Sequence, residues 1–339
     1  MVTSANTARP KRVAIIGAGM AGLACAQRLT AAGASVRLLD KGRGAGGRMS
    51  TRRIETPLGE ACFDFGAPFF VARDPNFRRC VEGWILAGHV SAWPSAGPEA
   101  AVGRPSMNAP LKAMAQDLDV AWSAQVTGLR RESPGWMVDV MPPGLPEGPF
   151  DAVVLAIPPE QATSLLNPHA LDLAVCSAKA LSTPIWTAMV VFDAPVLLDP
   201  GRLGPCETLA LAVCENSKPG RAGPEAWTLQ ATPEWSLTNL ESAAPPIATR
   251  LVDALARRLP RHLPQVVALQ AHRWRYARPA ASASVPGPVW RETAGLGLCG
   301  DWVQGDGVEA AWVSGVRLAD RICASPSLAG ALPEPAATL

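Results

Sequence analysis

Residues 11–48 read KRVAIIGAGMAGLACAQRLTAAGASVRLLDKGRGAGGR, and the order of elements within them decides the fold. Residues 13–16 (VAII) are a short apolar, partly β-branched run, the pattern of a buried strand. Gly17, Gly19 and Gly22 follow as G-x-G-x-x-G. In such a turn the first glycine makes the bend and the second lets a pyrophosphate approach the backbone. The third lets the next helix close on the strand. Residues 20–32, with Met20 and Ala21 at their head, have the Ala/Leu-rich character of that helix, and Gly33 is placed to end it. The helix start would turn its free N–H groups and positive dipole end toward phosphate. A second strand at 35–39 ends in Asp40, whose carboxylate can accept the hydroxyls of an adenosine ribose. Strand, turn, helix, strand and acid in that order predict a dinucleotide site; the bland alternative is a βαβ unit with an empty crevice.

Further out, 339 residues allow a sizeable core and two domains. A net charge of +2 with no dense basic tract argues against a nucleic-acid partner. The arginines from Arg43 to Arg53 lie beside the phosphate turn, and an anionic cofactor or substrate accounts for them. Eight cysteines are scattered without a C-x-x-C pair, and Cys25 and Cys299 sit in apolar surroundings. They read as buried free thiols of a reducing cytosol rather than as disulfides or zinc ligands. Four histidines without ligand spacing point to no metal. The first ten residues are polar, and no apolar run is long enough to span a bilayer. A soluble cytoplasmic protein with no membrane partner is expected, with frayed tails at 1–10 and 326–339.

After Asp40 comes a second glycine-rich loop, residues 41–50, containing Lys41, Gly47, Arg48 and Met49. A plain dinucleotide half-domain has no use for it. A longer cofactor lying across the sheet does, because backbone must approach the ligand again while Arg48 neutralises phosphate. Residues 63–70 (FDFGAPFF) form an aromatic strand and turn through Gly66, Ala67 and Pro68. Residues 81–86 and 90–93 begin a lobe outside the nucleotide domain, and 94–102 read as a loop. A short helix at 107–116 precedes strands at 120–129 and 135–140, joined by an ESPG turn. Residues 151–157 (DAVVLAI), Ala156 among them, are an apolar strand returning to the nucleotide sheet. From 160 to 289 strand-like runs (186–192, 209–214, 227–231) and one helix (247–258) suggest a second lobe over the cofactor. A last strand, 296–301, ends in Gly300-Asp301. The helix after it, 308–323, keeps Val308, Ala311, Trp312, Gly315 and Ala319 near one face.

The stretches IGAGMAGLACAQRL, LLDKGRGAGGRMSTRR, FDFGAPFFVARD, GRPSMNAPLKAMA, DAVVLAIPP, AHRWRYARP and GLCGDWVQGDGVEAAWVSG together resemble the flavin amine oxidase superfamily, and within it the bacterial renalase-like FAD oxidoreductases. They cover almost the whole chain. The resemblance implies an α/β (α+β) two-domain flavoprotein of amine-oxidase/hydroxylase-like architecture. Its Rossmann-like FAD-binding domain would comprise 11–78, 103–159 and 290–325, and its mixed-sheet substrate domain 79–102 and 160–289. It also implies that Val126 meets the adenine through its backbone and Asp301 the ribityl or phosphate part. The helix start from Val308 to Ala311 would point at the N1–C2=O edge of the flavin. There a helix dipole favours the negative charge of the reduced ring by tenths to about 2 kcal/mol. Glu309, in that first turn, reads as a helix-start residue rather than a base. No cysteine or histidine stands in a context used for covalent flavin, so noncovalent FAD is expected. Where relatives carry a longer excursion bordering the substrate cavity, this chain has only 94–102.

Flavin carries the redox chemistry, so no catalytic side chain need appear and none is assigned. The candidate substrate wall is residues 271–279 (AHRWRYARP), to which Phe70 is added. In an extended strand, alternation puts His272, Trp274 and Tyr276 on one face and Arg273 and Arg275 on the other. Such a wall would stack on a planar substrate, with Arg273, Arg275 or Arg278 available for phosphate or carboxylate. The bland reading is core packing with a solvated arginine face. His89 and His169 read as surface residues, and His262 is given no role. Amine oxidases of the superfamily commonly carry a lysine that holds a water near flavin N5. Aligned on FDAP (192–195), that position is Thr187, and no lysine lies between Lys179 and Lys218. The expectation is therefore an FAD oxidase taking a hydride from a small planar donor such as a dihydro-NAD(P) isomer, with O2 as oxidant and H2O2 as product. An FAD-dependent amine oxidase or dehydrogenase is the second reading, and a flavin-binding protein without turnover the third.

Overall fold

The computed structural model describes residues 11–142, 144, 146–199, 201–280 and 287–325; the tails expected at 1–10 and 326–339 lie outside the described residues. The strand Arg12–Ile16 sits inside a six-stranded sheet, in the order Val289–Arg291, Leu296–Leu298, Ala152–Leu155, Arg12–Ile16, Ser35–Leu39, Asp119–Ala121. Neighbours run parallel except at the antiparallel edge strand Val289–Arg291. Ala152–Leu155 is buried at every position, as a strand covered on both faces must be. From Arg12–Ile16 the chain passes through the helix Met20–Ala31 to Ser35–Leu39 on one side, and later returns on the other side as Ala152–Leu155. Strand order thus reverses between Ile16 and Ala156, the switch point beyond which open α/β sheets bind ligands. The helix ends where Gly33 takes a φ of +88°. Its outer face meets the helix Gly307–Cys323 so closely that a Cβ on Gly315 would fall 2.2 Å from the Ala21 carbonyl oxygen.

The second sheet has five antiparallel strands in the order Arg202–Leu203, Leu209–Cys214, Glu225–Ala231, Ser182–Phe192, Val266–Pro279. Alternation along Ser182–Phe192 sorts its two faces. Trp186, Ala188 and Val190 pack on Ile247, Leu251 and Leu255 of the helix Ala244–Ala256. Met189 and Val191 pack instead on Ala61 and Phe63 of the hairpin Arg52–Thr56/Gly59–Phe63 and on Phe65 just after it. The sheet is therefore held between its own helix and the segment that leaves the second glycine-rich loop.

Three expectations are corrected. Residues 120–129 are two strands: Asp119–Ala121 joins the parallel sheet and Gln125–Glu132 opens a three-stranded meander. The chain breaks between them because Ser123, at φ +58°, and Ala124 donate their N–H groups to the Gly42 and Asp40 carbonyls. The loop expected at 94–102 contains most of a strand, Ala100–Gly103, buried throughout and paired on both sides. A short Ala/Gly-rich strand buried on both faces has no alternation to reveal it. The second lobe has Pro159–Leu166, Leu171–Ala178 and Pro233–Thr238 as helices besides Ala244–Ala256, each too short for a clear period. Among the described residues no helix is long and apolar enough to cross a membrane. Cys25, Cys214 and Cys299 are buried thiols. A hydrogen bond to Cys299, with burial, pushes the Cys25 thiol well above its usual pKa.

Candidate active site

A cavity of about 1680 Å³ runs from the switch point to the second sheet. That exceeds the roughly 300–1,000 Å³ of a pocket for one small ligand, so it has room for an extended dinucleotide and a second molecule.

The side nearer the switch point is made of backbone. Gly17 has φ +100°, and a Cβ there would fall 2.6 Å from the Ala156 carbonyl oxygen. A Cβ on Gly22 would fall 1.9 Å from the Gly17 carbonyl oxygen, and one on Gly66 2.0 Å from that of Arg48. Gly19, by contrast, has open space around it and caps the helix Met20–Ala31 with no side-chain bond. The first N–H groups of that helix are thus left for an outside acceptor, which suits a phosphate. Asp40 accepts the Ala18 N–H at 2.6 Å and the Gly42 N–H at 2.7 Å, tying the first glycine turn to the second. Bare helix start, glycine contacts and acid together fit a dinucleotide cofactor.

Gly17, Gly19, Met20, Ala21, Asp40, Lys41, Gly47, Arg48, Met49, Gly66, Ala67, Pro68, Val126, Ala156, Gly300, Asp301, Val308, Glu309 and Ala311 all line this cavity. Gly22 lies behind the wall, pressed on Gly17. Two of these residues have partners that the sequence reading did not foresee. Arg48 is bidentate to Asp301, at 2.7 Å for both bonds, and also donates to the Ala277 carbonyl at 3.1 Å. Burial works against the Arg48 cation, but Asp301 outweighs it and holds the guanidinium pKa above its usual value. The pair braces the second glycine loop against the strand end at Gly300, so the Arg48 charge is already balanced within the protein. Glu309 accepts the N–H groups of Arg73 and Asp74 and anchors that loop to the start of Gly307–Cys323, a structural bond rather than a basic one.

The opposite side is made of side chains. Phe65, His272 and Trp274 form a ring cluster with centroids 5.1, 4.9 and 4.7 Å apart, and Trp274 Nε1 donates to the Phe65 carbonyl at 2.8 Å. Arg273 and Arg275 turn the other way and share Glu241, at 2.8 Å each. The alternation read from the sequence describes His272 to Arg275; past Trp274 the register with the neighbouring strand shifts. Phe70, Tyr276 and Arg278 also line the cavity, Arg278 being 3.9 Å from Asp306. Thr187 stands directly opposite Gln230 on one neighbouring strand and His272 on the other, so the three form a row on one face. Thr187, the middle member of that row, is fully buried, and its Oγ1 has no partner among the described residues. It supports the wall without lining the cavity. Burial, aided by Arg52, lowers the His272 pKa to about 4, so its imidazole is neutral near pH 7.

Phe65 and Gln230 line the cavity and were not singled out from the sequence; Arg52 lines it too and was read only as one of the arginines from Arg43 to Arg53. Phe65 carried a signal, since it alternates with Phe63; Gln230 carried only that of a lone amide in an apolar strand. Arg52 lies 4.7 Å over the Phe65 ring. A fourth feature gave no signal at all. Lys218 bonds Asp64 at 2.9 Å and Glu215 at 2.7 Å, with Arg221 also on Asp64, and all four side chains are buried. Thr51 and Thr228 complete the set by donating to Asp64 and Glu215. Burial would raise the Asp64 pKa, but Lys218 and Arg221 outweigh it and hold it down to about 2. This cluster fixes the segment that presents Phe65.

A dinucleotide cradle at a sheet switch point, facing an antiparallel sheet across one cavity, defines the class of nucleotide-cofactor oxidoreductases. A family model for an NAD(P)-binding Rossmann-like domain matches residues 15–84, and the model for flavin-containing amine oxidoreductases matches residues 88–323. The chain belongs to the flavin-containing amine oxidoreductase family, and is an oxidoreductase with FAD as its cofactor. The L-amino-acid oxidases of Demansia vestigiata and Notechis scutatus scutatus are 51% and 50% identical to it over 50 and 51 residues, 15% of this chain and 10% of theirs. Among solved structures, a candidate protoporphyrinogen oxidase from Exiguobacterium sp. 255-15 superposes with a TM-score of 0.70 at 13% identity, covering 93% of this chain and 99% of its own. Cyclohexylamine oxidase from Brevibacterium oxydans IH-35A gives 0.64 at 13% identity, covering 92% and 98%. At such identities the likeness is one of fold.

Proposed function

We propose that this oxidoreductase takes a hydride from a small planar reduced donor, a dihydro-NAD(P) isomer being the candidate, in the manner of renalase-like enzymes. The observation that carries the reading is the Phe65–His272–Trp274 cluster, which offers a planar donor an aromatic wall. FAD, held noncovalently along the backbone side of the cavity, would supply the redox chemistry of an oxidase, with O2 as oxidant and H2O2 as product. The protein's part is to orient the donor and exclude water. His272, with a pKa near 4, is a weak base. Loss of hydride from a dihydronicotinamide restores an aromatic ring and calls for no base. The cofactor residues are those of the backbone side, from Gly17 and Asp40 to Val308, in a unit of 11–78, 103–159 and 290–325. The substrate unit is 79–102 and 160–289.

Oxidation of an amine is the second reading, favoured by the relatives named as L-amino-acid and cyclohexylamine oxidases. Anaerobic mixing separates the two. Borohydride-reduced NAD isomers are expected to bleach the visible flavin absorption at once, while primary amines and L-amino acids do not. Bleaching by amines alone overturns the proposal.

A further inference from the structure

The arginines around the cavity fall into two groups. Arg48, Arg53, Arg73, Arg275 and Arg278 each face a carboxylate, Arg273 shares that of Arg275, and Arg202 holds the Ser95 carbonyl. Half-buried Arg52 and exposed Arg43 also line the cavity, and neither has a carboxylate or carbonyl partner among the described residues. They lie within Coulombic reach of each other. Burial, then Arg43, lowers the Arg52 pKa, the direction expected of a cation short of counter-charge. Two like charges facing one cavity, neither paired with an acid, disfavour each other until an anion joins them.

We propose that Arg52 and Arg43 form an anion subsite at the edge of the Phe65–His272–Trp274 wall, so that the molecule oxidised here carries a carboxylate or phosphate beyond its planar ring. This rests on the reading of that wall as the seat of a planar donor. The hairpin sets Arg52 opposite Phe63, and its guanidinium lies over Phe65. The ring supports the guanidinium, and its N–H donors have no carboxylate or carbonyl partner among the described residues; a guanidinium can grip a carboxylate or phosphate with two parallel bonds. His272, neutral beside it, adds hydrogen-bonding capacity without a competing charge. The cofactor's own phosphates have the bare start of Met20–Ala31.

The test uses FAD-loaded protein titrated by calorimetry with benzoate, phenyl phosphate and benzamide, which share a ring and differ in charge. At least one anion is expected to bind about tenfold tighter than benzamide. Benzoate ahead of phenyl phosphate indicates a carboxylate donor, and the reverse a phosphate. Arg52→Met, which keeps the contact with Phe65, should abolish the preference, and Arg52→Lys should retain part of it. Arg43→Gln, on an exposed loop, gives a second reading if Arg52→Met fails to fold, and should also reduce the preference. Equal binding of all three probes overturns the subsite. So does an Arg52→Met protein that keeps the preference or loses FAD instead. Should no dihydronicotinamide bleach the flavin while the anion preference holds, the donor reading falls and the subsite stands.

Discussion

Along Gly17, Gly19 and Ala156 the cavity wall is carbonyls, N–H groups and missing Cβ atoms; along Phe65, Gln230 and His272 the wall is side chains. The first is assembled from turns that follow one another in sequence or close a strand of one sheet. The second needs three strands of another sheet in register, with Phe65 brought to them by a hairpin from far upstream. A wall of backbone admits few substitutions where, as at Gly17 and at Gly22 behind it, an added atom meets a main chain that cannot rotate aside. A wall of side chains can be rewritten while the sheet beneath it persists. The cofactor side should therefore break abruptly and the substrate side change by degrees.

Gly22→Ala is the strongest test of that contrast. The new Cβ would fall 1.9 Å from the Gly17 carbonyl oxygen, a backbone atom, so the helix must move off the strand or the turn must open. The expected outcome is loss of FAD on desalting, whereas Trp274→Phe on the other wall keeps it. A yellow, desalted Gly22→Ala protein would mean that the turn does not hold the cofactor.

Lys218→Met probes what positions the side-chain wall. It leaves Asp64 and Glu215 buried with Arg221 as the remaining cation, and removing one partner of a buried ion pair costs about 3–5 kcal/mol. Urea unfolding at neutral pH measures it. The native protein has a linked acid dependence. Asp64 is depressed to about 2, below an unfolded value of about 3.9, so its contribution is complete above pH ~4 and is lost as pH falls through ~2. Glu215 is shifted the other way, chiefly by burial, and so contributes in the opposite sense. In Lys218→Met the Asp64 part of the acid loss should shrink. An unfolding midpoint equal to that of the native protein would show the cluster to be idle.

How much of each wall was legible follows from the same contrast. Gly17, Gly19, Gly22 and Asp40 announce themselves because each residue type answers a local backbone demand. The alternation of His272, Arg273, Trp274 and Arg275 was legible for the same reason: it is a property of one extended strand. Phe65 opposite Trp274, Gln230 beside Thr187, and Lys218 on Asp64 were not, because they depend on how segments far apart in sequence meet. Arg48 and Asp301 were each legible as cofactor-side residues, yet their mutual bond was hidden by the same distance. Asp119–Ala121 and Gln125–Glu132 looked like one strand because only contact with the Asp40 loop separates them.

Thr187→Val asks whether the buried hydroxyl between Gln230 and His272 matters to the fold. Its hydroxyl is buried without a partner, and an unpaired buried polar group is a cost that an isosteric methyl removes. Stability is expected to stay level or rise by up to about 1 kcal/mol, with FAD retained. A fall of more than about 1 kcal/mol would mean that Oγ1 is satisfied in solution, by water or by a molecule in the cavity.

The smallest expected effect concerns His272. Its folded pKa is near 4, below an unfolded value near 6.5. The sign is that of a depressed histidine: the stability linked to it is complete above pH ~6.5 and disappears as pH falls through ~4. Between about pH 5 and 8 the ring stays neutral, so flavin reduction by a bound donor should show no inflection from this residue. Burial is the larger cause and Arg52 the smaller. Arg52→Met should therefore move the His272 titration, followed by NMR of its ring proton, upward but not to 6.5. A shift all the way would make the charge the main cause, and no shift would put Arg52 out of reach of the ring. Either result would separate the two halves of the side-chain wall, the aromatic cluster and the cations beside it.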